Sequence, residues 1–285
     1  MVNSIKDRLF DWVVLLILSL LGMCVLFPIM YVVTVSVTPM SEVLKRAFIL
    51  IPRKITLDAY YFIFQRSNLP QAFYVTTWIT VVGTLINMVL TVMMAYPMSR
   101  RELPGRTFFQ FYVIFTMLFS GGTIPTYILV RSLGLINSLW ALIWPGAIWT
   151  FCVIVTKSFF QQLPVELFES ARIDGIGEWR ILFYIVIPLS LPVIVTISLY
   201  YAVGHWNEFF GGIMYITKSN LFPLQVVIRQ ILMQAADLQN NPDVVLPTQT
   251  MQMASIVVAS APIIIVYPWL QKHFAKGMLL GAIKG

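Results

Sequence analysis

The sequence predicts an all-α integral membrane protein with six transmembrane helices. Two observations carry that reading: a scarcity of charge, and six long windows with no charge at all. Of the 285 residues, 59% are hydrophobic and only 11% are Asp, Glu, Lys or Arg. A soluble domain usually carries about 25% charged residues. A chain this poor in charge cannot cover a water-facing surface, so it needs lipid as solvent. Charge-free windows of at least 18 residues occur at six places: 12–41, 67–99, 107–130, 132–156, 181–207 and 244–271. A helix needs roughly 20 mostly apolar residues to cross the hydrocarbon. Lipid offers no partner for exposed backbone groups, so each crossing must be helical. The evenly spaced alternating strands of a barrel are absent.

The first window is too long for a signal-peptide core and lacks a clear cleavage site, so it reads as a retained helix. Orientation follows from Lys and Arg. With the N-terminus inside, segments 1–11, 100–106, 157–180 and 272–285 face the cytoplasm and hold 11 of the 19 basic residues. Arg100, Arg101 and Arg106 share one tight loop. That bias places both termini in the cytoplasm. The formal net charge of +7 then points to anionic headgroups rather than nucleic acid.

Within the spans, Pro28, Pro97, Pro125, Pro145 and Pro262 interrupt the helical pattern. The stretch Ser120-Gly121-Gly122-Thr123-Ile124-Pro125 is either a broken span or a turn just past a short third one. Thr77, Thr80, Thr84, Asn87 and Thr91 recur at helical spacing and form one polar stripe in the second span. Such a stripe lines a pore or glues helices together. No span has an ionisable Asp, Glu, Lys or Arg near its middle, which disfavours an ion-coupled carrier. Cys24 and Cys152 lie in apolar windows without metal spacing. The only histidines, His205 and His273, lack carboxylate or cysteine company, so no catalytic or metal site is read here.

The inside loop 157–180 is longer than a connector needs. Pro164 suits the first turn of a helix. Glu166 and Glu169 favour the same end through the helix dipole, and Gly175 can take the left-handed geometry that ends one. The loop therefore holds a short helix from about Pro164 to Ile173, with Leu167, Phe168 and Ala171 on one face. A glycine-marked turn follows, then Ile187-Pro188-Leu189-Ser190-Leu191-Pro192 at the fifth span.

Glu169-Ser170-Ala171, then Asp174-Gly175, then Ile187-Pro188-Leu189 and Pro192 resemble the signature loop of binding-protein-dependent ABC importer permeases. The family pattern is Glu-Ala-Ala, a Gly four residues on, and Ile-x-Leu-Pro about a dozen residues later. Ser170 stands where the family has its first Ala, and Pro188 shifts the Leu-Pro match to Leu191-Pro192. Thr56-Leu57-Asp58-Ala59-Tyr60, His205-Trp206-Asn207-Glu208-Phe209, Leu270-Gln271-Lys272-His273-Phe274 and Lys276-Gly277 extend the resemblance over nearly the whole chain, towards the maltose-type carbohydrate subfamily. Within it the chain is similar to permeases for complex or acidic oligosaccharides, such as that of an alginate importer.

The resemblance implies an ABC importer permease fold: one domain over 1–285, a cytoplasmic coupling helix within 157–180, and extracytoplasmic segments 42–66 and 208–243. The coupling residues would be Glu166, Phe168, Glu169, Ser170, Ala171, Asp174 and Gly175. The helix would dock in an ATPase subunit and transmit its closure to the spans in the bacterial inner membrane. No Gly-x-x-x-x-Gly-Lys-Ser/Thr loop is present, so ATP and Mg would belong to partner subunits. Those partners would be two ATPase copies, a second permease in a heterodimer, and an extracytoplasmic solute-binding protein. Tyr31, Asn87, Trp144, Trp149, Tyr200, Trp206 and Asn207 are by type and depth either sugar contacts or, for the Trp and Tyr, interfacial anchors. Lys45, Arg46, Arg53 and Lys54 are a docking patch for an acidic partner or plain solvated charge. A secondary carrier or channel with an ordinary loop is the alternative.

Overall fold

The computed structural model describes residues 5–46, 48–239 and 249–265, and no strand occurs among them. Two compact units emerge: Met1–Leu69 with Ile228–Ala261, and Pro70–Val227 with the chain after Ala261.

In the first unit, α1 (Ile5–Ser36) is apolar on every side, with Phe10–Ser36 long enough to cross a membrane. Two short helices follow, α2 (Met40–Val43) and α3 (Asp58–Arg66). Val35, Val43 and Ile49 form a small core. The Ser36 hydroxyl meets the Tyr60 hydroxyl at 2.8 Å. Of the four basic residues between 45 and 54, Arg46 pairs with Glu42 at 3.2 Å.

In the second unit, α4 (Leu69–Ser99) is the other uninterrupted span-length helix. The third, fourth and fifth windows are bent pairs. The first pair is α5 (Arg106–Leu118) with α6 (Thr123–Ser132), crossing at 111°. The 3-10 turns over Leu139–Gly146 meet α7 (Thr150–Phe160) at 54°. After α8 (Glu166–Ile173), the second half of the unit holds α9 (Glu178–Ile181), α10 (Ile187–Leu189) and α11 (Leu191–Trp206). The stretch Glu178–Leu189 turns into α11 at 84°. By length and composition, two described helices can cross a membrane, or up to five if each bent pair is one span.

Each bend has a local cause. Gly122 takes φ +86° between α5 and α6, where a side chain would be strained, and Pro125 sits in the new helix's first turn. Pro188 has no N–H for the helical ladder, and a π turn over Leu182–Val186 precedes it. Ser190 N–H then donates to the carbonyls of Val186 and Ile187, closing the turn ahead of Pro192.

The charge-free windows give no helix between 208 and 243, yet α12 (Phe210–Tyr215) and α13 (Leu224–Gln239) lie there. A further apolar helix, α14 (Gln249–Ile265), occupies the middle of the sixth window, and the ends of that window lie outside the described residues. So do His273, Lys276-Gly277 and the segment 272–285.

Glu208 opens α12 by accepting the Gly211 N–H at 2.8 Å. Burial pushes its carboxyl above the usual carboxylate range. A raised carboxyl pKa means that folding disfavours the charge: the penalty is present at neutral pH and is relieved as pH falls through the raised value. Glu208→Gln keeps an acceptor oxygen and removes the charge. The variant is expected to melt no lower than the native protein at about pH 8, with the difference closing towards about pH 5. A lower melting temperature at about pH 8 would refute this.

Candidate functional site

α8 is short because both ends are fixed locally. Pro164 and Val165 precede it, and Glu166 and Glu169 fill its first turn, where carboxylates suit the helix dipole. At the other end Gly175 has φ +74°. Its N–H donates to the Arg172 carbonyl at 3.0 Å, and the Ile176 N–H donates to the Ala171 carbonyl at 2.9 Å. These two bonds are the Schellman arrangement, with glycine at the left-handed position. Ile176 packs in the same apolar cluster as Ala171, completing it.

The helix has two unlike faces. Phe168 and Ala171 are buried, 2% and 4% exposed, against a core that includes Tyr96, Phe160 and Ile181. Glu166, Glu169, Ser170, Ile173 and Asp174 are exposed, Ile173 at 85%. The expected start near Pro164 moves to Glu166, and Leu167, expected on the inner face, is 37% exposed at its edge.

A charged and aromatic network holds the inner face. The Arg100 guanidinium lies 3.5 Å from the Phe168 ring centre and 5.0 Å from that of Tyr96. Burial lowers the Arg100 pKa from its ordinary value. A desolvated cation over aromatic faces is worth roughly 2 kcal/mol. Tyr96 donates to Glu178 at 2.5 Å. Arg172 meets Glu178 at 2.9 Å and Glu102 at 3.5 Å. The hydrogen bond to Glu178 raises the Arg172 pKa further. A backbone hydrogen bond first, and Arg172 after it, hold Glu102 below the usual carboxylate range. Both ion pairs are largely exposed, so each contributes only about 0.2–1 kcal/mol. A cavity of about 470 Å³ lies beside them, floored by Arg100, Tyr96, Glu178 and Trp179.

The candidates chosen for cargo contact fall in separate places. Asn87 is fully buried and its amide meets His205 Nε2 at 3.0 Å. One turn on, Thr91 meets the Tyr201 hydroxyl at 2.7 Å, and that hydroxyl also accepts the Trp149 N–H at 3.1 Å. Asn87 and Trp149 thus belong to one polar seam between α4 and α11. Trp206 is 7% exposed and meets Phe73 edge-on. Trp144 stacks near Trp140 at 6.3 Å, and Tyr200 leans on Phe151 at 5.8 Å; both are about half exposed. Asn207 is exposed and donates to its own helix at Val203. Tyr31 stacks on Phe48 in the other unit. In the polar stripe, Thr77 is exposed and bonds its own backbone, whereas Asn87 and Thr91 bond α11.

Sequence reasoning did not find Arg100, Tyr96, Glu102 or Glu178. The available signal was Arg100 itself, a cation ending a 33-residue charge-free window.

A multi-helix apolar chain bearing a short two-faced helix on a polar loop defines an inner-membrane permease. The family described as binding-protein-dependent transport system inner membrane component matches residues 1–280, and the chain belongs to it. Among its relatives is the polygalacturonan/rhamnogalacturonan transport system permease protein YtcP of Bacillus subtilis, 46% identical over 285 residues, 98% of this chain and all of that one. Protein LplC of the same organism is also 46% identical, over 99% of this chain and 97% of its own. A chain from the crystal structure of a bacterial ABC transporter involved in import of the acidic polysaccharide alginate superposes with a TM-score of 0.87. It is 29% identical, and the match covers 95% of this chain and 98% of that one.

Proposed function

We propose that this chain is a six-span permease subunit of an ATP-driven oligosaccharide importer, with α8 as its coupling helix and a uronate-bearing oligosaccharide as cargo. The observation that carries the reading is the construction of α8: a rigid inner face seated on the spans, and an outer face of Glu166, Glu169, Ser170 and Asp174 left open. That outer face would seat in one of two ATPase subunits, which hold ATP and Mg. Glu169 would anchor it by accepting hydrogen bonds, Ala171 allows α8 to approach the spans closely, and Gly175 sets the turn. Both termini would be cytoplasmic. A second permease would complete the pore, and an extracytoplasmic binding protein would deliver the sugar to 42–66 and 208–243. The acidic cargo is supported by the polygalacturonan and alginate named for the similar proteins. Tyr31, Trp144, Tyr200 and Asn207 remain the candidate contacts with room for a sugar, being partly or well exposed.

The test is ATP hydrolysis and uptake by the complex in proteoliposomes, with a binding protein loaded with oligogalacturonate or with a neutral oligosaccharide. The acidic cargo is expected to stimulate hydrolysis and the neutral one not. Glu169→Lys is expected to cut stimulated uptake at least about tenfold, about 1.4 kcal/mol of coupling, with assembly unchanged. Coupled uptake at the native rate in that variant defeats the α8 reading, and stimulation by neutral sugar alone defeats the cargo reading.

A further inference from the structure

We infer that Arg100 is the positioning residue that locks the coupling helix to the second span, an inference that rests on the role proposed for α8. The reason is mechanical. Along the chain, α8 is joined to α7 by the turn at 161–165 and to α9 by Gly175-Ile176-Gly177. Glycine links yield under load, because glycine has the widest backbone freedom. A push on α8 delivered only through them would bend the links instead of moving the spans.

The structure supplies a second, sideways attachment. α4 ends at Ser99, and the Arg100 N–H still donates to the Pro97 carbonyl at 3.0 Å, so its backbone is fixed to the end of α4. Its guanidinium lies 3.5 Å from the ring centre of Phe168, in the middle of α8. Nε and Nη2 of Arg100 are buried and make no hydrogen bond. The cation is therefore held by ring faces, Phe168 on one element and Tyr96 on the other, rather than by a carboxylate. Around it, Tyr96 reaches Glu178 beyond the glycine turn, and Arg172 at the end of α8 reaches both Glu178 and Glu102. α8 is thus gripped before, at and after the turn by residues of α4 and its following loop. α4 in turn is bonded to α11 by Asn87–His205 and Thr91–Tyr201. Displacement of α8 is carried to α4 through Arg100, and from α4 to α11 through the polar seam.

The experiment uses the whole complex in proteoliposomes and reads the ratio of ATPase activity with loaded binding protein to that without. Arg100→Met keeps the apolar stem and removes the cation; Arg100→Lys restores a cation. Arg100→Met is expected to lower the ratio at least fivefold and Arg100→Lys to recover at least half of it. Phe168→Leu is expected to match Arg100→Met, with the double variant no worse than either. A ratio within twofold of native in an assembled Arg100→Met complex overturns the inference. If that variant does not assemble, Arg100→Lys decides: an assembled complex with a reduced ratio supports the inference, and an unchanged ratio overturns it. Failure of both to assemble makes Arg100 a purely structural residue and overturns it too. If Glu169→Lys is also silent, the role of α8 itself fails; if only the Arg100 variants are silent, this inference alone does.

Discussion

Gly83→Val is expected to drive α4 and α11 apart and to lower the yield of folded protein. A β-carbon at position 83 would stand 2.5 Å from His205 Nε2 and 2.8 Å or less from two ring carbons, distances that atoms do not adopt. Membrane helices approach closely only where small residues let them. Separation at Gly83 would also stretch the Asn87–His205 bond one turn on and the Thr91–Tyr201 bond two turns on. Overpacking costs about 1–3 kcal/mol, and each interhelical hydrogen bond in a membrane is worth about 0.6 kcal/mol, up to about 1.7. Together these approach the total stability of many proteins, about 5–15 kcal/mol. The measurement is the melting temperature and the monodisperse fraction of the detergent-solubilised complex. Gly83→Ala should be milder, and His205→Ala should relieve part of the clash, so the pair should cost less than the sum of the single changes. An unshifted melting temperature for Gly83→Val would rule out the close approach.

Gly175→Pro is expected to abolish uptake while leaving the protein in the membrane. Gly175 sits at φ +74°, and proline is locked near −65°. Proline would also delete the N–H that bonds the Arg172 carbonyl at 3.0 Å, and would push Ile176 away from Ala171. A mismatch of this kind costs about 1–3 kcal/mol before the lost bond is counted. The cost falls on the turn that orients α8 against Glu178, outside the spans. Membrane abundance should therefore stay near native while uptake in proteoliposomes drops at least about tenfold. Gly175→Asn, which tolerates the left-handed region, should retain much of the activity. Native uptake by Gly175→Pro would show that the turn does not matter for transport.

Much of this was legible in the sequence. Phe10–Ser36 and Leu69–Ser99 are visible as charge-free windows because lipid exposure is a property of every residue in them. α8 was legible because its signals are local: Pro164 and Glu166 at one end, Gly175 at the other. The bends were half legible. Gly121-Gly122, Pro145 and Pro188 mark where regular helix fails, but composition does not say whether the chain tilts by 54° or by 111°. Arg100 on Phe168 and Tyr96 on Glu178 were not legible, because contacts between residues far apart in the chain leave no periodicity. The threonine stripe shows the same limit. Its spacing identified one helix face correctly, yet only the position of α11 separates Thr77, open to its surroundings, from Asn87 and Thr91, bonded across the seam.

The π turn at Leu182–Val186 has a consequence for azimuth. It fits one more residue into a turn than an α-helix would, and each residue of an α-helix advances the chain by about 100° around its axis. Removing a single residue there would swing everything upstream, α8 included, by about that angle relative to α10. The wide turn works as a phase setting: it decides which compass direction the loop faces when it leaves the bilayer.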